Sequence, residues 1–218
     1  MRRQLANKVV YNTEIHLLIN YYVVEHKERQ AEIDEALKLN LQNNQINRIH
    51  IIVEKESIIP NWIKKEKVQI VIMNNRMTYN QFFSYSKQNI ENKSICIISN
   101  ADISFDDSIK NVKDYVNKNV CLALTRHNKI DGKLRLFNRR DSQDAWVYIN
   151  PLRELEDNTN FILGTPGCDN RIAFILKKKY KLKNPARKII LTHHHESGFR
   201  TYKRSEKIVG NISLVDIE

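Results

Sequence analysis

Three short stretches of this sequence carry side chains whose types and spacing can do chemistry. In Asn100-Ala101-Asp102 one residue separates two oxygen-bearing side chains, so an extended or turning backbone can aim both at one ion. Hard cations such as Mn²⁺ or Mg²⁺ take one or two carboxylates, and water and substrate phosphates complete the shell. Asp169 follows Gly164-Thr165-Pro166-Gly167 at the mouth of an apolar helical run. Its carboxylate either caps that helix, a role Asp fills well, or points into a cleft. The third stretch is Thr192-His193-His194-His195-Glu196. A strand running through it puts His193 and His195 on one side and His194 on the other. Such an HxH pair suits a metal ion, and histidines also donate to phosphate.

Regular elements must present these groups. Residues 95–98 form a short apolar run rich in β-branched side chains, as in a strand buried on both faces of a parallel sheet. The polar residues after it then emerge beyond a carboxyl end, where open α/β sheets bind ligands. The competing duty of Asp102 and Asp107 is to cap a helix over residues 108–117. Upstream, residues 15–24 read as a first strand enclosing His16 as a core histidine. Ile33, Leu37 and Leu41 recur at helical spacing over residues 28–41, and residues 48–54 form a second strand. This β-α-β order implies a right-handed crossover and a parallel pair.

A loop over residues 57–67, a strand at 68–73 and a helix at 79–89 follow. Between the last two stands Arg76, whose fork of donors suits a phosphate or a surface carboxylate. A fifth strand at 120–125 ends at Arg126, a further candidate cation. Residues 133–138 and 142–150 read as strands, with Asp144 and Trp146 on one face if the chain is extended there. The tail at 207–215 reads as an edge strand. The expected fold class is α/β, a single domain over residues 1–218 with a mostly parallel central sheet and helices on both faces.

Composition narrows the function classes. Lys and Arg outnumber Asp and Glu by 36 to 25, a net charge of +11, so the field favours nucleotides, polyanions or peripheral contact with an anionic surface. The basic residues are dispersed without an aromatic-interleaved motif, so no specific nucleic acid is expected. Cys96, Cys121 and Cys168 have no Cys-x-x-Cys spacing, which argues against a zinc cluster or a disulfide framework. The first strand is followed by no glycine-rich phosphate fingerprint, excluding a dinucleotide-binding Rossmann sequence and a P-loop. No apolar stretch approaches the roughly 20 residues that span a bilayer, and no signal peptide is read at the N-terminus. The expected compartment is the cytoplasm, a host cytoplasm for a viral protein.

With Asn100-Ala101-Asp102, the segment 164–170 and the final histidines together, the sequence resembles the GT-A type glycosyltransferases, in layout the small viral and bacterial members. The resemblance implies a nucleotide-binding half, about residues 14–126, and an acceptor half, about 127–218. It implies a D-x-D-like motif holding Mn²⁺ or Mg²⁺ against a UDP- or GDP-linked sugar, with a glycan or other hydroxyl acceptor. Asp102 matches the second acid of that motif and Asn100 stands at the first. Asp169 matches the later acid near the acceptor, with Asp144 as second choice for a base. His193 or His195 matches the metal histidine, and Asn20 and Tyr21 sit where the family contacts base and ribose. Two other classes fit the same residues: a metal-dependent phosphohydrolase or nuclease using Asp102 and the HxH pair, and a basic nucleic-acid-binding module.

Overall fold

The most continuously apolar, β-branched runs, such as residues 95–98, form strands buried on both faces inside one sheet. The computed structural model describes residues 14–55, 59–63, 66–200 and 206–218. The N-terminal segment and parts of the 57–67 loop lie outside these residues. In chain order come β1 (Ile15–Asn20), α1 (Lys27–Gln42), β2 (Arg48–Glu54), β3 (Val68–Met73), α2 (Tyr79–Asn89), β4 (Ile95–Ser99) and β5 (Ile103–Phe105). The second half contributes α3 (Val112–Tyr115), β6 (Val120–Leu124), β7 (His127–Ile130), β8 (Lys133–Leu136), β9 (Ala145–Ile149), α4 (Cys168–Lys177), β10 (Lys181–Lys183) and β11 (Leu191–His193).

Seven strands make the central sheet in the order β10-β6-β9-β4-β1-β2-β3. All neighbours pair in parallel except β9, which runs antiparallel to both β4 and β6. The period-2 alternation of β1 sorts its side chains to two cores. Ile15, Leu17 and Ile19 pack with Ile33, Leu37 and Leu41 of α1. Leu18 packs on the other face with Phe82 of α2 and Ile172 and Leu176 of α4. The fold is thus α/β with a mostly parallel sheet covered on both faces. His16 is a core histidine whose Nδ1 lies 3.0 Å from His50 Nε2, and all three cysteines are free and buried. No helix among the described residues is long and apolar enough to cross a membrane.

Several local expectations change. Residues 108–117 do not form one helix: a 3-10 stretch, Asp107–Asn111, precedes the single turn of α3, and Asp106 rather than Asp102 or Asp107 caps it through Ser108 N. Asp102 is spent elsewhere, and the chain beyond it turns into β5. The first strand stops at Asn20, where the side chain takes over bonding by clasping both backbone groups of Met77 at 3.3 Å. Residues 206–218 contain no strand. Their apolar alternation instead seats Val215 against the α4 core, and single backbone bonds join Ser213 to Asn170 and Val215 to Arg140.

A second sheet, β5-β11-β7-β8, leans on the α1 side. β5 is its edge strand, so its outward backbone groups need partners from elsewhere. Asn40 of α1 supplies them: Nδ2 donates to Ile103 O (2.8 Å) and Oδ1 accepts from Phe105 N (3.0 Å). Asn43 adds a bond to Phe105 O at 2.8 Å. Asn40→Ala orphans two buried backbone groups and is expected to cost about 2–4 kcal/mol in urea unfolding. A loss below about 1 kcal/mol, the scale of an ordinary net hydrogen bond, would show that β5 does not depend on this amide.

Candidate functional site

β2 and β3 build outward from one side of β1 and β4 lies on the other, so the carboxyl ends of β1 and β4 flank a topological switch point. Asn20 and Asn100 stand there. Because β9 is reversed, its beginning, not its end, reaches the same edge, and Asp144 arrives beside Asn100 and Arg126. A cleft of about 510 Å³ opens over this edge, and Asp102, Asp144, Asp169, His193 and His195 all line it.

Asp102 forms one pole. It is 6% exposed, and its Oδ2 accepts a 2.6 Å bond from Arg29 Nη2. The antiparallel register of β11 on β5 sets His193 opposite Ile103, next to Asp102. His193 Nε2 therefore lies 3.2 Å from Asp102 Oδ2, and His195 Nδ1 lies 3.9 Å from it. One ligand atom from each of the three residues falls within 4.8 Å of the others. The two imidazoles stack with centroids 5.2 Å apart. His194 faces the other way, its Nε2 2.8 Å from Ser104 Oγ.

The electrostatics of this pole are set by pairing. Burial alone would raise the Asp102 carboxyl, but the bond and charge of His193, with Arg29, hold it well below the usual carboxylate range. Burial opposes the Arg29 charge too, and Asp102 outweighs it, keeping the guanidinium charged. Arg29 Nη1 also donates to Glu32 Oε2 (3.0 Å) and to His194 O (3.2 Å), and it lies 2.6 Å from His195 Nδ1. A guanidinium cannot accept, so His195 Nδ1 is the acceptor and that imidazole is neutral. Burial, then the charge of Arg29, lowers its pKa accordingly.

The same cleft is lined by a second acidic pole. Asp144 accepts from Arg126 Nη1 at 3.1 and 3.0 Å on its two oxygens and from Asn100 Nδ2 at 3.2 Å. This gives a physical reason for Asn at position 100: an amide donates to Asp144, whereas a carboxylate there would repel it. Asp169 belongs to the first turn of α4 and is not its cap. The cap is Gly167, whose φ of +80° admits a left-handed turn, and a Cβ there would meet Ile208 O at 3.0 Å. Burial, with the nearby charge of Asp144, pushes the Asp169 carboxyl up to about 6.

Tyr21 departs from the sequence expectation: it is 2% exposed, and its hydroxyl donates to Asp34 Oδ1 at 2.7 Å. Tyr22, just past the end of β1, lines the cleft instead, with Arg76 over its ring at 4.2 Å. Asn20 borders the cleft, but its amide is occupied by Met77. Arg126 stacks on Phe137 at 4.1 Å, a surface that sequence reading did not include. Arg29 was missed as well. Its signal was present: Arg29, Ile33, Leu37 and Leu41 share one helical stripe, and a charge on a core-facing stripe requires a buried partner.

No protein-family model matches this chain, and no curated protein is detectably similar to it in sequence. Among solved structures it is similar to 4-diphosphocytidyl-2C-methyl-D-erythritol synthase from Anaerococcus prevotii (12% identity, 79% of this chain and 86% of that one, TM-score 0.47). It is likewise similar to the inositol-1-phosphate CTP transferase from T. maritima (11% identity, 88% of this chain and 94% of that one, TM-score 0.45). S. aureus TarS 1-349 in complex with UDP-GlcNAc matches at 9% identity over 60% of this chain and 39% of that one, TM-score 0.39. At these identities the likeness concerns the course of the backbone alone.

Carbon-detected NMR of the aspartate carboxyls checks the second pole. Asp169 should titrate with a midpoint near 6, against about 3.9 for a free Asp. The folded state then binds the extra proton, so the contribution of Asp169 to stability is full below about pH 4 and lost as pH rises through about 6. A midpoint near 4 would mean that the carboxylate is hydrated and not enclosed.

Proposed function

We propose that this protein is a metal-dependent glycosyltransferase that moves a sugar from a UDP- or GDP-linked donor to a hydroxyl of a glycan or similar acceptor. The observation that carries this reading is the convergence of Asp102, His193 and His195 in a cleft at the sheet's switch point that the enclosed carboxyl of Asp169 also lines. One carboxylate oxygen and two imidazole nitrogens are a donor set that Mn²⁺ accepts readily. When bound, such a cation would offset the charge that gathers on a departing nucleoside diphosphate.

The chain's own groups supply the remaining tasks. Tyr22 and Arg76 offer a stacked aromatic face and a cation for the nucleotide, and Arg126, backed by Phe137, adds positive charge near the phosphates. Asn100 holds Asp144, and Asp144 holds Arg126, so these three are oriented before any ligand arrives. Asp169 is the first choice for the general base. With a pKa near 6 it is ionised at neutral pH yet basic enough to accept the acceptor hydroxyl's proton as the new carbon–oxygen bond forms. Asp144, already tied to Arg126, is the second choice.

The test pairs binding with turnover. Mn²⁺-dependent affinity for UDP- and GDP-sugars should vanish in Asp102→Asn while the fold persists. Asp169→Asn should retain that affinity and lose transfer by a factor of about 10²–10⁴, the usual scale for removing a general base. Release of pyrophosphate from a nucleoside triphosphate, with no nucleoside diphosphate formed from any sugar donor, would overturn the proposal in favour of nucleotidyl transfer.

His194 separates architecture from ligation. His194→Ala should lower stability through the lost Ser104 contact and leave Mn²⁺ affinity unchanged, whereas His195→Ala should weaken Mn²⁺ binding. Because a ligating imidazole must be neutral, Mn²⁺ affinity should fall as pH drops below the ordinary histidine range of about 6.5. A titration of the two variants by calorimetry reads both effects, and loss confined to His194→Ala would remove the HxH pair from the metal site.

A further inference from the structure

The Asp102 cluster already contains a cation. Arg29, 6% exposed, reaches it from the first turn of α1, and its two terminal nitrogens touch Asp102 Oδ2 and His195 Nδ1, each at 2.6 Å. An imidazole nitrogen has a single lone pair in the ring plane, so His195 Nδ1 can face a guanidinium or a metal ion but not both. Asp102 Oδ2 has two lone pairs and both are engaged, one by Arg29 and one by His193. A divalent ion seated among these atoms would also lie within a few ångströms of a buried positive charge, where low dielectric strengthens repulsion.

We propose that Arg29 is an internal competitor for the divalent cation: guanidinium and ion claim the same lone pairs on Asp102 and His195, and loading the site requires Arg29 to release them. This inference rests on the metal reading of the cluster given above. The surroundings supply a second berth. Arg29 Nη1 is shared with Glu32 Oε2 at 3.0 Å and His194 O at 3.2 Å, whereas Asp102 Oδ2 is held by the other terminal nitrogen, Nη2. A guanidinium that lets go of Asp102 keeps Glu32 as its counter-charge and is not stranded. Glu32 is itself fixed, accepting from the Ser197 amide at 2.6 Å and its hydroxyl at 3.0 Å. The helix α1 and the segment after β11 thereby provide a receiving carboxylate for the displaced arginine.

The consequence is that the native protein binds Mn²⁺ more weakly than its donor set would allow, and that removing the competitor strengthens binding. Calorimetric titration of MnCl₂ into the full chain and into Arg29→Met should show the variant binding about tenfold or more tightly, reflecting removal of a like charge at close range. Adding His195→Gln to Arg29→Met should cancel that gain. Because Arg29→Met deprives the buried Asp102 and the half-buried Glu32 of their cation, a measurement on the native chain stands beside it. With ¹⁵N-labelled arginine, saturating Mg²⁺ should speed hydrogen exchange at the Arg29 guanidinium as its bonds to Asp102 and His195 break. Native binding that Asp102→Asn abolishes but Arg29→Met does not improve would leave the metal reading intact and overturn the competition. Unchanged Arg29 exchange at saturating Mg²⁺ would overturn it too, and absence of binding in native and variant chains alike would remove both readings.

Discussion

The buried pair of Arg29 and Asp102 is the constraint from which the geometry of the cleft follows. Neither charge tolerates burial alone, since deleting one member of such a pair costs about 3–5 kcal/mol by stranding the other. Each residue is therefore held by its partners: Arg29 by Asp102, Glu32, His195 and the His194 carbonyl, and Asp102 by Arg29 and His193. These contacts join three segments distant in sequence, namely α1, the turn into β5 and the end of β11. The short strand β5 exists between them as an edge whose outer groups are satisfied by Asn40 and Asn43 of the same helix.

The second acidic pole of the cleft obeys a different balance. Asp144 has a direct cationic partner in Arg126, whereas Asp169 accepts from the backbone and side-chain amide of Asn170 and has the charge of Asp144 beside it. The two poles consequently separate in acidity: Asp102 is driven down by paired charges and Asp169 is driven up by enclosure. Carboxylates whose surroundings push them apart can take distinct roles in one reaction, one binding charge and one moving a proton. The reversed strand β9 makes this possible, because only its antiparallel course brings the start of a strand, and with it Asp144, to the edge where the parallel strands end.

Much of this was legible in the residues themselves. Runs such as Ile95-Cys96-Ile97-Ile98 read as buried strands, the stripe Ile33, Leu37, Leu41 as a core-facing helix, and the polar break at Ser99 as the place where the sheet opens to ligand. Period-2 alternation, if the strand ran on, set His193 with His195 and against His194; β11 ends at His193, yet the side chains take those places. These are local rules, acting over a few residues, and they determined the α/β class and the neighbourhood of the candidate site. What only tertiary structure decided were the choices made by contacts between distant segments. Arg29 joined Asp102 across 73 positions because a charge on a core-facing stripe had to find a counter-charge. Asn100 turned to Asp144 because β9 lies next to β4, and Tyr22 instead of Tyr21 reached the cleft because Tyr21 is buried beside α1 and bonded to Asp34. The apolar tail packed on α4 without pairing as a strand, since hydrophobic alternation specifies burial but not a hydrogen-bonding partner.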